Sequence, residues 1–180
     1  MSRALGCQAS SSIQSASMSD PRAPVHERLT ALGISYDLFE HPPVFTGEEA
    51  ALHWKDVPGA AVKNLFLRNK KGDRHYLVIL GIDKEADLRR LVKIVGDDRL
   101  SFASPERLMK HLGVTPGSVS PFGLIHDANR AVRVIVDSDL RNADRLIFHP
   151  NDNTASLSIT AQDFVRFLEQ QGNSVRWITV

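Results

Sequence analysis

The chain has 180 residues, an apolar fraction of 42% and a formal net charge of +1. That length supports one domain with a sizeable core. The near-neutral balance excludes a globally basic nucleic-acid binder, and no apolar run approaches the length that spans a bilayer.

The single cysteine, Cys7, lies near the N-terminus, which excludes an intramolecular disulfide and a cysteine-based metal cluster. Without a disulfide framework, and without the apolar core of a secretory signal, the expected setting is a soluble protein of the cytoplasm. Residues 1–20 are rich in Ser, Ala and Gln and carry no apolar period, so they read as a disordered tail or an upstream-start segment, with Met18 as an alternative start. Residues 21–180 are expected to form the folded domain.

The domain opens with a helix: Val25, Leu29 and Leu32 share one face, and Gly33 stops it. Ile34 to Phe39 alternates as a strand, which His41-Pro42-Pro43 breaks because proline cannot donate to a ladder. Thr46-Gly47-Glu48-Glu49 has the pattern of a capping box for a short helix through Leu52. Val57-Pro58-Gly59 is a turn into the stretch Ala61-Val62-Lys63-Asn64-Leu65-Phe66-Leu67, a strand that starts polar and ends apolar. Asn69 to Asp73 predicts a hairpin turn, with Tyr76 to Leu80 returning antiparallel. Leu88, Leu91, Val92 and Val95 form a helical stripe closed by Gly96, and Arg99 to Phe102 is a short strand. Ser104-Pro105 opens a helix whose buried face is expected to be Leu108, Met109 and Leu112, ending at Gly113.

A loop rich in Gly, Pro and Ser follows from Thr115 to Gly123. Strands are predicted over Val132–Val136, Arg145–Phe148 and Thr154–Ile159, with a turn at His149–Asn153. The last helix presents Phe164, Phe167 and Leu168 inward, and a final strand runs from Val175. This irregular interleaving, with at least one hairpin, predicts an α+β domain with a mixed sheet rather than a doubly wound parallel one.

No Walker loop, dinucleotide fingerprint, HExxH pair or Gly-x-Ser-x-Gly elbow occurs. The histidines are scattered singly, so no metal site and no cofactor are expected. Four features remain. Lys63-Asn64 sets an ammonium and an amide at the mouth of the core, where an anionic or carbonyl group can be held; the plainer reading is a snorkelling lysine and a turn asparagine. The loop Gly117-Ser118-Val119-Ser120-Pro121 can present backbone N–H groups, or be a simple connection. His149 and His41 each precede a proline and fit a turn equally well. A basic hairpin, Arg68, Lys70, Lys71 and Arg74, is either a solvated turn or a small, local nucleic-acid contact.

Taken in order, Lys63-Asn64-Leu65-Phe66-Leu67, Gly117-x-x-x-Pro121 and His149-Pro150 before Thr154-Ala155-x-Leu157 resemble the YbaK/prolyl-tRNA-synthetase-associated editing domain family. The segment His41-Pro42-Pro43-Val44-Phe45-Thr46 with Glu48-Glu49-Ala50 resembles its freestanding ProX-type members. The resemblance runs from about Pro24 to the final helix. It implies a compact α+β fold with a partly barrel-like mixed sheet, and hydrolysis in trans of mischarged prolyl-tRNA. The implied partners are the aminoacylated acceptor end of tRNA-Pro and, transiently, prolyl-tRNA synthetase. It ties activity to Lys63; beside it, Asn64 and His149 are taken as catalytic on their chemistry, and Gly117, Ser118, Val119, Ser120, Pro121, His41 and Phe45 as substrate contacts. It also implies that the substrate's own ribose hydroxyl helps activate water, consistent with the lack of an obvious general base in the chain.

Binding limits explain why such an enzyme is needed. A prolyl site rejects a smaller amino acid poorly, because a missing methylene is worth only ~1–3 kcal/mol. Alanine is the expected target on the resemblance of the His-Pro-Pro-Val-Phe-Thr segment. Cysteinyl-tRNA-Pro deacylation and a non-catalytic module binding an aminoacyl or nucleotide end are the alternatives.

Overall fold

A computed structural model describes residues 20–44, 49 and 52–179. Residues 1–19 of the anticipated tail and Thr46–Glu48 of the anticipated capping box therefore lie outside the described residues.

The chain forms an eight-stranded mixed sheet. Its elements in order are α1 (Ala23–Ala31), β1 (Asp37–Glu40), β2 (Ala60–Asn69), β3 (His75–Gly81), α2 (Leu88–Val95), β4 (Leu100–Phe102), α3 (Pro105–Leu112), β5 (Val132–Asp137), β6 (Arg145–Phe148), β7 (Ala155–Thr160), α4 (Ala161–Gln171) and β8 (Val175–Ile178). Two 3-10 turns lie at Pro121–His126 and Ser138–Asn142. Strand order is β1-β7-β6-β2-β3-β5-β8, and β4 pairs with β2.

The hairpin of β2 and β3 is antiparallel, with Lys63 opposite Leu80 and Leu67 opposite Tyr76. Asn69 builds its turn by accepting from the N–H groups of Gly72, Asp73 and Arg74 through one oxygen. Successive strand residues face opposite sides, and both sides are covered. One face sets Val62, Phe66, Leu77, Ile79, Val134, Phe148 and Leu157 against α1, α3 and α4, through Leu29, Leu112, Phe164 and Phe167. The other sets Leu67, Tyr76, Val78, Leu80 and Ile135 against Leu91 of α2. Burial on both sides explains why β3 is almost wholly apolar.

Three expectations shift. Met109 is 52% exposed, so the inward face of α3 is Leu108 and Leu112. The predicted first strand begins later, because Ile34 buries itself at the end of α1 and bonds back to Leu29. β7 alternates in sequence but is buried on both faces, with Leu157 and Ile159 in the main core and Ser156 and Ser158 bonded by Trp54 and Arg145.

The feature that positions the site is β2. On the edge away from β3 it pairs parallel with β6 at Ala60 and Ala61, then antiparallel with β4 from Leu67 to Asn69. Between these pairings the two halves of the sheet part. The start of β2 is pressed closely on β6 by Gly59, at φ 133°, where a Cβ would lie 3.0 Å from the backbone of Arg145.

Candidate active site

Pairing between β2 and β6 ends at Ala61 opposite Ile147. Lys63 stands two residues further along β2 and His149 just past the end of β6, so they flank the opening. The ammonium of Lys63 donates to the Ile82 carbonyl at 3.0 Å and has no carboxylate partner among the described residues. Two of its N–H donors thus remain for an anion or a polarised carbonyl. His149 donates Nδ1–H to the Ala155 carbonyl at 2.9 Å, which leaves Nε2 with its lone pair open. Burial lowers the His149 pKa; nearby His41 lowers it further, against the raising influence of the Ala155 bond and Asp152. The ring is neutral at neutral pH and serves as an acceptor.

His41 joins this group. Its Nδ1–H donates to the Pro42 carbonyl at 2.8 Å, and in the neutral ring Nε2 accepts the Ser156 hydroxyl at 2.9 Å. Trp54 Nε1–H donates to the same Ser156 oxygen at 2.7 Å. The His41 ring stacks on His53 at 5.2 Å between centroids and meets His149 edge-on at 5.9 Å, while Trp54 lies 6.0 Å from His149. Trp54 also packs with Val44, Val57 and Ile147, so this side of the opening is apolar. Among the described residues, no three His, Cys, Asp or Glu side chains converge to hold a metal ion.

Asn64 follows Lys63 and faces the opposite side, between Val62 and Phe66 of the main core. Its Oδ1 is buried without a partner, and so are both amide atoms of Asn151, two residues beyond His149. Asn151 adopts φ 61°, a left-handed conformation that asparagine tolerates better than most residues. The loop Gly117–Pro121 lies on the main-core side. Gly117 takes φ 90°, Ser118 and Ser120 are buried, and the Ser120 hydroxyl caps the 3-10 turn by accepting from Phe122 N–H. Val119 packs against the core, and Pro121 is the first residue of that turn. Among the described residues, the N–H groups of Gly117, Val119 and Ser120 have no acceptor. No bond or ring contact joins this loop directly to Lys63 or His149. Phe45 lies outside the described residues.

His41 and His149 are therefore brought together on the Lys63 face of the sheet, while Asn64 and the loop belong to the main-core face. Beside Lys63 runs a cleft of about 330 Å³ lined by Ala61, Ile82, Lys84 and Asp137. The basic hairpin is remote: Asn69 lies about 20 Å from Lys63 at ~3.3 Å per strand residue. There Arg68 bonds to the Asn69 and Lys70 carbonyls, and Arg74 pairs with Asp97. Sequence reasoning missed Trp54, His53, Ser156 and Asn151. The one available signal was His53-Trp54, two aromatic rings adjacent in a polar stretch before the Val57-Pro58-Gly59 turn.

Residues 41–167 match the aminoacyl-tRNA editing domain family. The prolyl-tRNA editing protein ProX of Acetoanaerobium sticklandii is 40% identical over 159 residues, covering 88% of this chain and 97% of that protein. Prolyl-tRNA synthetase associated domain-containing protein 1 of Bos taurus is 35% identical, covering 84% of this chain and 91% of its own length. The crystal structure of a candidate trans-editing enzyme for prolyl-tRNA synthetase superposes with a TM-score of 0.69 at 25% identity, over 91% of this chain and 99% of that one. These relatives and the shared fold make the protein an aminoacyl-tRNA deacylase, a hydrolase. The chain belongs to the aminoacyl-tRNA editing domain family. No described helix is long and apolar enough to cross a membrane.

Proposed function

We propose that the protein edits in trans, removing alanine from mischarged alanyl-tRNA-Pro. The observation that carries this reading is the opening between β2 and β6, flanked by an ammonium without a carboxylate partner among the described residues and by a neutral imidazole. An aminoacyl-tRNA is an ester on the terminal ribose. Its hydrolysis adds water to the carbonyl carbon and breaks the bond to the ribose oxygen. One proton of the water leaves with the ribose oxygen, the other passes to solvent, and alanine departs as its carboxylate.

Lys63 stabilises the negative charge that develops on the carbonyl oxygen, or binds the terminal phosphate. His149 Nε2 accepts a hydrogen bond from the attacking water and orients it. Asn64 supplies an amide to the ester or ribose, and the open N–H groups of Gly117, Val119 and Ser120 face the ribose or carbonyl, held by Ser118 and Pro121. His41 and Phe45 complete the wall on the His149 side. The partner is the aminoacylated acceptor end of tRNA-Pro, met in the compartment of translation, with prolyl-tRNA synthetase as a transient contact. The net charge of +1 favours a small footprint whose affinity falls as salt rises.

The test is single-turnover deacylation of alanyl-, prolyl- and cysteinyl-tRNA-Pro side by side. Rapid loss of alanine with proline spared supports the proposal. Preferential loss of cysteine keeps the site and changes the substrate. Protection of all three esters would turn the reading to a binding module.

A further inference from the structure

We infer that Trp54 is the specificity-determining wall of the amino-acid pocket, pinned in place by Ser156 and His41; this rests on the Lys63–His149 opening being the ester site. A substrate carbonyl held there directs its side chain toward the groups beside His149. Trp54 is such a group, 6.0 Å from the His149 ring between centroids and 9% exposed. It is set among Val44, Val57 and Ile147, so it presents bulk and no competing charge.

A wall discriminates by size only if it cannot retreat. The Trp54 indole N–H is committed to Ser156 Oγ at 2.7 Å, and Ser156 is fully buried on β7. The Ser156 hydroxyl is in turn committed to His41 Nε2, and His41 to the Pro42 carbonyl. Swinging the indole aside strands a buried N–H and leaves the serine oxygen short of a donor, both of which are unfavourable away from water. The chain of bonds runs from β7 to the segment after β1, so the wall is braced by two elements distant in sequence. A hydrogen-bonded indole resists displacement by a larger side chain, whereas purely apolar packing yields more readily.

The experiment uses full-length protein and tRNA-Pro charged chemically with alanine, 2-aminobutyrate or proline. The readout is the ratio of kcat/KM for the larger residues to that for alanine. Wild type is expected to favour alanine by about 10-fold or more per added methylene. Trp54→Ala should raise the prolyl-to-alanyl ratio by about 10-fold or more, a gain that general loss of structure does not produce. Trp54→Phe and Ser156→Ala keep an aromatic wall but remove the pin, and should relax the 2-aminobutyrate ratio while a thermal melt shows them folded. If Trp54→Ala does not fold, the Trp54→Phe ratio decides. Folded variants with the wild-type ratios would overturn the inference. Wild type inert on alanyl-tRNA-Pro would instead overturn the underlying reading, and this assignment with it.

Discussion

Acid should unfold this protein early, through one histidine far from the site. His75 opens β3 and is only 4% exposed. Its Nε2 accepts from Arg107 Nη1 at 2.8 Å, its ring stacks on Phe66 at 5.7 Å, and the His111 ring lies 4.0 Å away. Burial is the main reason its pKa falls from 6.5 to about 4; His111, Arg107 and Lys110 lower it further, and only Asp127 opposes them. A base whose folded pKa lies below its unfolded value stabilises the fold fully above the unfolded pKa, and that stability is lost as pH falls. The unfolded chain takes up a proton near pH 6.5 that the native ring refuses until about pH 4. Linkage across that gap amounts to about 2 kcal/mol lost between pH 7 and pH 4.5. Urea denaturation at those two pH values, on wild type and on His75→Gln, measures it. Glutamine keeps an acceptor for Arg107 and does not titrate, so its stability should fall by about 2 kcal/mol less over the same interval. Equal pH dependence in the two proteins would refute the reasoning.

Lys63→Ala should abolish most deacylation in a single-turnover assay, with a melting temperature within a few degrees of wild type, because the side chain makes one bond to a backbone carbonyl. The acidic limb of kcat/KM against pH should fall below the usual histidine value of ~6.5, since burial lowers the His149 pKa, and His149→Asn should lose that limb. Gly59→Ala should destabilise by more than about 1 kcal/mol in denaturant titration, because the added methyl meets the Arg145 backbone at 3.0 Å and the φ is unfavourable.

Much of the architecture is written locally. Gly96 and Gly113 end their helices with φ of 70° and 65°, where the 3.6-residue stripes stop. The β2–β3 hairpin follows from a polar turn between two apolar runs, and Lys63-Asn64 stands out because polar residues interrupt one of them. The mixed sheet was legible for the same reason. What was not legible depends on contacts between distant segments. The parallel pairing of β2 with β6 joins Ala60 to Leu146, and no local pattern announces it. Trp54 is held by a hydrogen bond to Ser156, which lies 102 positions away. Met109 fits the helical period of α3 and still points outward, because nothing packs over that side of the turn.

The division of β2 between two partners links the fold to the chemistry. An interior strand with both edges paired has no backbone to offer a ligand and no room beside it. By leaving β6 after Ala61 and gaining β4 only at Leu67, β2 keeps an unpaired stretch inside a sheet that is otherwise continuous. Such a stretch is unfavourable unless something fills it, since buried polar groups without partners cost about 1–3 kcal/mol each. The unpartnered amide atoms of Asn64 and Asn151 sit on the strand and on the turn that border this gap. Both are amides, able to donate and accept, and they complement an ester and a ribose rather than a hydrocarbon. Asp137 Oδ2, Gln171 Nε2 and Asn173 Oδ1 are likewise buried without partners, so such atoms are not confined to this gap. On the reading proposed above, the ester and ribose of the substrate engage the amides of Asn64 and Asn151.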